Sequence, residues 1–171
     1  LKFQMKELFL LNIPISKTEY YPGTMIPKKI LILVDKTNNI WNTAEEYIYN
    51  TQDPEDCSGI ARPLIIKKYP AAESESALIT TITYDATFKD QPSVVIGPDG
   101  QKQTFTYNSE GKIATHATSQ RDWSNLATET YDAVSTTEYT YITTGDNLGF
   151  LSSVTTTPVV GPAQTVEYTY Y

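Results

Sequence analysis

Hydrophobic and polar residues alternate with a period of two along much of the chain. The clearest copies are Ile82-Thr83-Tyr84, Phe105-Thr106-Tyr107, Tyr139-Thr140-Tyr141 and Val166-Glu167-Tyr168-Thr169-Tyr170, with Tyr47-Ile48-Tyr49 as a looser one. Successive side chains of a β-strand point to opposite faces of a sheet. The rings therefore fall on one face and the threonines or glutamates on the other, which is typical of half-buried antiparallel strands.

Turn-forming residues separate these strands. Gly97-Pro98-Asp99-Gly100 combines a proline whose φ is preset for a turn with a glycine that accepts positive φ, so it predicts a hairpin. Asn108-Ser109-Glu110-Gly111 follows the next strand and leads to a third, which makes a meander. Looser turn signals predict two more hairpins, through 143–149 and 158–162.

The pattern predicts an all-β fold. We expect a single domain over 1–171, built as a curved antiparallel meander of about eight to ten strands that closes partly into a barrel or shell-like sheet. A β-sandwich is the alternative. Residues 79–171 carry the regular hairpins, whereas 1–78 hold less regular strands, which we expect at 8–13, 30–34 and 63–69.

Two short segments are candidates for helix. Asn42–Tyr49 opens like a capped first turn, although its Tyr47-Ile48-Tyr49 competes as strand. Ser119–Thr128 is the second candidate. The small, polar and charged segment Ala71–Ser76 is expected to be a mobile loop.

The segment Phe105-Thr106-Tyr107-Asn108-Ser109-Glu110-Gly111-Lys112-Ile113 resembles a YD repeat, the Tyr-Asp-x-x-Gly-Arg-Leu pattern of Rhs and teneurin-type hairpin arrays. Asn, Lys and Ile stand here for Asp, Arg and Leu. Elsewhere the pattern is degenerate, since Tyr84-Asp85 lacks the following glycine. The resemblance covers about the last half of the chain. It implies a short YD-repeat-like hairpin protein, similar to small exported or lipid-anchored Bacteroidota proteins of unknown function.

Composition and charge exclude several classes of function. The 171 residues carry 13 basic and 20 acidic side chains, a net charge of −7, which leaves no basic surface for nucleic acid. With one cysteine and one histidine, neither a structural zinc site nor an internal disulfide forms within one chain. Cys57 lies in an acidic, turn-like segment, where a plain, partly exposed thiol is expected.

Catalytic and metal-binding signals are weak. His116 is the only possible imidazole base, and its place in an alternating strand favours a solvent-facing side chain over a Ser-His-Asp role. Nothing marks a pair among the carboxylates, and the acidic groups at 53–56 and 146–147 lack the spacing of a calcium loop. Glycine-rich phosphate loops are missing. We therefore predict no enzyme, no cofactor and no metal.

Aromatic side chains are the candidate ligand-binding residues. Trp41 and Trp123 both sit among polar turn formers, where a ring either presents an exposed surface to a sugar or a partner chain, or folds back onto the open end of the core. Tyr139 and Tyr141 complete the candidate set, although sheet packing is the first explanation for the tyrosine rows.

Two functions follow as expectations. The first is a non-catalytic, exported envelope or cell-surface protein that binds or assembles with another envelope or surface protein. The second is a carbohydrate-binding module in which exposed tryptophan and tyrosine rings contact a glycan. A hydrolase that uses carboxylates is a distant third. The run Leu8-Phe9-Leu10-Leu11 is too short for a signal core, so we expect any export signal or lipid anchor, the only membrane attachment foreseen, to lie upstream.

Overall fold

The structure is a computed structural model that describes residues 15–49, 62–69, 76–124 and 128–171. In these ranges eleven strands form one antiparallel sheet in chain order. They are β1 (Ser16–Tyr20), β2 (Pro27–Asp35), β3 (Ile40–Tyr49), β4 (Pro63–Lys68), β5 (Leu78–Tyr84), β6 (Pro92–Ile96), β7 (Gln101–Tyr107), β8 (Ile113–Arg121), β9 (Tyr131–Tyr141), β10 (Leu151–Pro158) and β11 (Gln164–Glu167). The all-β meander predicted from the alternation is confirmed.

The sheet is open. In the described ranges β1 and β11 lie at opposite edges and do not pair with each other, so these strands form one open sheet rather than a closed barrel or the two sheets of a sandwich. Eleven strands exceed the expected eight to ten, partly because β1, whose five side chains are all exposed, gave no hydrophobic signal. The predicted hairpin through Gly97–Gly100 is confirmed, since it joins β6 to β7.

Both helix predictions are wrong where the structure describes them. Asn42–Tyr49 belongs to β3, where Glu46 lies between Lys29 at 3.7 Å and Lys67 at 3.1 Å on the two neighbouring strands. These cross-strand partners outweigh the local capping signal. Ser119 continues β8, and 125–127 lie outside the described residues. So do the predicted strand at 8–13, the acidic segment with Cys57, and 71–75 of the expected mobile loop.

The two faces of the sheet differ as the alternation predicts. The pairing register places Phe105, His116 and Thr137 side by side on one face, which we call the ring face. Thr106 and Thr115 lie on the opposite face, the threonine face, where their hydroxyls are 2.7 Å apart. Along β5, β7 and β9 the ring-face tyrosines are partly buried, whereas the threonines between them are exposed.

The sheet has almost no closed core. Among the described hydrophobic residues only Leu31 counts as buried, with 9% of its surface exposed. The rings are covered by their neighbours in the same sheet but by no second layer, because no other sheet or helix is present in the described ranges. A domain normally buries its apolar face between two layers, whereas the described ranges of this chain supply one layer only.

Tyrosine hydroxyls tie neighbouring strands together in pairs at one end of the sheet, which we call the tyrosine edge. In each case a tyrosine at or beyond the end of an odd-numbered strand donates to the carbonyl at the start of the preceding even-numbered strand, over 2.6–3.1 Å. These pairs are Tyr49 to Pro27, Tyr84 to Pro63, Tyr107 to Pro92, Tyr141 to Ile113, and Tyr170 to Leu151. The recurring tyrosines therefore anchor the start of each hairpin, in addition to packing on the ring face.

The residue after two of these tyrosines builds the next turn. Asp85 accepts hydrogen bonds from the backbone N–H groups of Thr87 and Phe88, both at 2.8 Å. Asn108 accepts from the N–H groups of Glu110 at 3.0 Å and Lys112 at 2.9 Å. A short side chain with an acceptor oxygen is what such a turn needs. This explains why the Tyr-Asp and Tyr-Asn pairs recur at strand ends.

Candidate functional site

A concave feature of the described residues lies at the end of the sheet opposite the tyrosine edge. It is an open groove of about 360 Å³, formed where the starts of β5 and β9 meet the ends of β6 and β8. We call it the Trp123 groove. Its floor and walls are mainly apolar and aromatic, and they include Leu78, Ile79, Ile96, Pro98, Trp123 and Tyr131. Arg121 and Glu129 bring one positive and one negative charge to the same groove.

The Trp123 ring packs against the backbone at a glycine, which leaves room for it. Gly100 has a φ of +77°, and a Cβ built on it would lie 2.8 Å from the Trp123 ring and 2.9 Å from the Arg121 side chain. Such a distance is shorter than any real contact, so only glycine lets the tryptophan lie this close to the backbone. The Arg121 guanidinium lies 4.6 Å from the ring centroid. Even so, 52% of Trp123 is exposed, which leaves ring surface open to a ligand.

Hydrogen bonds fix the two segments that carry the tryptophan and the glycine. The Arg121 N–H donates to the carbonyl of Gly100 at 2.9 Å, which joins β8 to the turn between β6 and β7. The Asp122 carboxylate accepts from the Ser124 N–H at 2.8 Å, and the Ser124 side chain and N–H lower the pKa of this carboxyl. Trp123 lies between Arg121 and Ser124, whose backbone N–H groups make these two bonds, so the backbone on both sides sets its position.

The charged and hydroxyl groups of the groove are partly engaged with one another. The Tyr131 hydroxyl donates to Glu129 at 2.6 Å, and this bond raises the pKa of the tyrosine. Lys102 lies 4.9 Å from the centre of the Tyr131 ring. The Nε of Arg121 is buried and has no hydrogen-bond partner among the described residues. A polar ligand would meet a carboxylate acceptor, a phenol and a guanidinium beside an aromatic surface.

This arrangement is suited to binding. An exposed, rigid indole ring flanked by hydrogen-bonding groups can contact the apolar face of a sugar ring or an aromatic side chain. A general acid or base needs a partner within hydrogen-bond reach of the reacting group. In the groove the one carboxylate, Glu129, is engaged by a tyrosine hydroxyl, and the lining contains no histidine or cysteine.

The other predicted site residues lie elsewhere. Trp41 is partly buried on β3, where its Nε1 donates to Asn39 at 2.9 Å and Lys17 lies 4.6 Å from its ring centroid. Tyr139 and Tyr141 are on the ring face of β9, and the Tyr141 hydroxyl is used in the tyrosine edge. The structure therefore does not bring the four candidates into one site, and only Trp123 lines the groove.

His116 differs from its predicted position. The solvent-facing side chain expected from sequence is instead partly buried and stacked on Phe105, with ring centroids 4.8 Å apart and planes at 6°. Its Nε2 is buried without a hydrogen-bond partner among the described residues. The cause is the register of β7 and β8, which places the two rings directly opposite each other. Within the described ranges no three His, Cys, Asp or Glu side chains converge to hold a metal ion.

Sequence reasoning missed three residues that shape the groove: Gly100, Arg121 and Tyr131. Gly100 was recognised only as a turn former, and Arg121 fell in the segment considered for helix. Tyr131 stands outside the recurring ring-and-threonine triplets. A strand through 113–121 followed by a turn at Asp122–Ser124 would have placed Arg121 and Trp123 beside the turn of the preceding hairpin, but the alternation there is weak.

No family model matches the chain, and no curated protein sequence matches it significantly. In the part of the chain that the structure covers, no helix is long and apolar enough to cross a membrane.

Proposed function

We propose that the protein is a non-catalytic binding or assembly protein of a bacterial envelope or cell surface, which acts together with another envelope component. The observation that carries this proposal is the single-layer sheet. Its ring face presents partly buried tyrosines and Phe105 without a covering layer in the described ranges. Apolar faces of this kind mark interaction surfaces in soluble proteins.

The resemblance to YD repeats is part of the same proposal. The tyrosine edge and the Asn108 turn give the Tyr-Asn segment a structural role at the junction of two hairpins, which supports the comparison. Under this proposal the chain is a short YD-repeat-like protein. Export and a lipid anchor follow from the resemblance, and cell fractionation of the full-length gene product tests both.

Photo-crosslinking in the native host tests the assembly role. A benzophenone amino acid at Tyr139 places the probe on the ring face, and the same probe at Thr136 places it on the exposed threonine face of the same strand. We expect the Tyr139 probe to form one discrete adduct in the envelope fraction, and the Thr136 probe to form none. Equal labelling from both positions, or no adduct at Tyr139, would contradict the proposal.

Carbohydrate binding is the second candidate, and the Trp123 groove favours it. The exposed indole, the adjacent phenol and the charged pair supply both stacking and hydrogen bonding. A glycan array with the wild-type chain, Trp123→Ala and Leu148→Ala is the test. Leu148 is a suitable control because it is similarly exposed, at 59% against 52%. Glycan binding that only Trp123→Ala abolishes would support this function, whereas no binding by the wild type would remove it.

A further inference from the structure

The edge strand β11 is an exposed, partly apolar edge of the sheet. Within the described strands β11 pairs with β10 alone, and all four of its residues are exposed. Val159, Val160, Val166 and Tyr168 cluster in and around it, with 43% to 88% of their surfaces exposed. A strand edge of this kind offers unpaired N–H and C=O groups to another strand.

The hydrogen-bond pattern shows which groups of β11 point outward. The Tyr168 N–H donates to the Ser152 carbonyl of the preceding hairpin at 2.9 Å. In an antiparallel pair the residues that bond to one neighbour alternate with those that face the other side. Gln164 and Val166 therefore bond to β10, while the N–H and C=O groups of Thr165 and Glu167 point away from the sheet.

We propose that β11 pairs with β11 of a second copy of this chain, antiparallel and across a two-fold axis perpendicular to the sheet. Such an axis keeps both ring faces on the same side, so residues opposite each other must belong to the same face. Two registers near the strand centre meet this condition, with either Thr165 or Val166 opposite its own copy. The second is favoured, because the first would set the exposed Val166 opposite Gln164, whereas the second sets it opposite Val166 of the second copy. Thr165 then lies opposite Glu167 and exchanges backbone hydrogen bonds with it.

Charge disfavours the next register toward the C-terminal end of β11. A shift by one residue of each strand would set Glu167 directly opposite Glu167, and like charges across a strand pair are unfavourable. In the proposed register each Glu167 faces a threonine, and the exposed Val166 side chains cover each other. The strand is thus complementary to itself, valine against valine and threonine against glutamate, which is why a second copy is the partner to which we commit. This pairing leaves the ring face free for the other envelope component, so it adds a second contact to the assembly role proposed above.

Engineered cysteines test the register. In a Cys57→Ser background, Val166→Cys places two thiols where Cα atoms of opposed residues are about 4.5 Å apart, within reach of a disulfide. Thr165→Cys, on the other face, is the control, because its two copies would lie about 8 Å apart. We expect Val166→Cys to form covalent dimers at least about tenfold faster under mild oxidation. Equal rates would overturn the proposal.

A proline tests the edge hydrogen bonds without disturbing the sheet. Thr165→Pro removes an outward N–H, whereas Thr165→Ala keeps it, and both lose the hydroxyl contact with Thr155. By sedimentation at millimolar protein we expect wild type and Thr165→Ala to dimerise and Thr165→Pro to be monomeric, with unchanged circular dichroism. A monomeric wild type, or growth into longer polymers, would refute the inference. The photo-crosslinking at Tyr139 probes the ring face and not β11, so a negative dimerisation result leaves the proposed assembly role to be judged by that experiment.

Discussion

Replacing Tyr107 by phenylalanine isolates one hydrogen bond of the tyrosine edge. The hydroxyl donates to the Pro92 carbonyl at 2.6 Å, and the ring itself packs edge-on against Phe88 with centroids 6.0 Å apart. The substitution keeps the ring contact and removes only the donor. A net hydrogen bond contributes about 0.5–1.5 kcal/mol, so we expect a loss of about 1 kcal/mol in the free energy of unfolding. For a chain of this size that lowers the Tm by about 2–4 °C.

The five tyrosine-edge bonds allow the magnitude to be tested by addition. Successive bonds are two strands apart, about 10 Å, and at that separation effects on stability are close to additive. A variant with all five tyrosines changed to phenylalanine should lose about 5 kcal/mol, a large part of the usual 5–15 kcal/mol. Tyr139→Phe is the matched control, because that hydroxyl has no hydrogen-bond partner among the described residues. It should change stability by less than about 0.5 kcal/mol.

The assay is urea unfolding followed by circular dichroism, repeated across alkaline pH. Burial raises the pKa of Tyr107 above its usual 10.0. A raised pKa in the folded state means that this contribution is present below pH 10 and is lost as the pH rises through the folded value. The difference between wild type and Tyr107→Phe should therefore be constant below pH 10 and shrink above it. If Tyr107→Phe behaves like Tyr139→Phe, the hydroxyl does not anchor the hairpin.

Three further substitutions probe other parts of the sheet by urea unfolding. Glu46→Gln should lower the free energy of unfolding by about 0.5 kcal/mol at neutral pH. The hydrogen bond from Lys67 lowers the pKa of this carboxyl below 4.5, so the difference in unfolding free energy between wild type and variant should fade as the pH drops below that value. Gly100→Ala should lower the free energy of unfolding by at least about 1 kcal/mol more than Gly145→Ala, because a Cβ at Gly100 would clash with Trp123 whereas one at Gly145 meets no atom within 4 Å. The same clash should shift the Trp123 fluorescence. Equal losses of stability in the two variants would contradict the packing described. His116→Phe should stabilise the sheet by about 0.5–1 kcal/mol, because it removes a buried nitrogen that lacks a partner, and a loss would show that the nitrogen is satisfied.

The sequence was sufficient for features that depend on neighbouring residues. The alternation around Phe105 and Tyr107 identified the strands and their two faces, and Gly97–Gly100 identified a hairpin because its residues favour that turn. Asn42–Tyr49 was ambiguous, since a capped helix start and a strand both fit its residues. Pairing with β2 and β4 decides between them, and neither partner can be read from the segment itself.

The candidate site depended on distances that the sequence does not contain. Trp123 was identified as a candidate from its polar surroundings, but its groove also needs Tyr131 across the same hairpin and Ile79 from β5. A register shift between Thr118 and Ser119 determines which residues of β8 and β9 meet at that end. No local pattern marks such a shift. The same limit applies to Tyr141, whose carbonyl partner lies 28 residues earlier in the chain.

Because each strand that the structure describes pairs, among these strands, only with those directly before and after it, this sheet behaves as a one-dimensional chain of coupled units. The free energy of unfolding is then approximately the sum of the contributions of the single hairpins and of the interfaces between neighbouring hairpins. The outermost units, held on one side only, should fray first, and amide protons in β5 to β8 should exchange most slowly. Excising a single internal hairpin would shorten such a molecule without dismantling it.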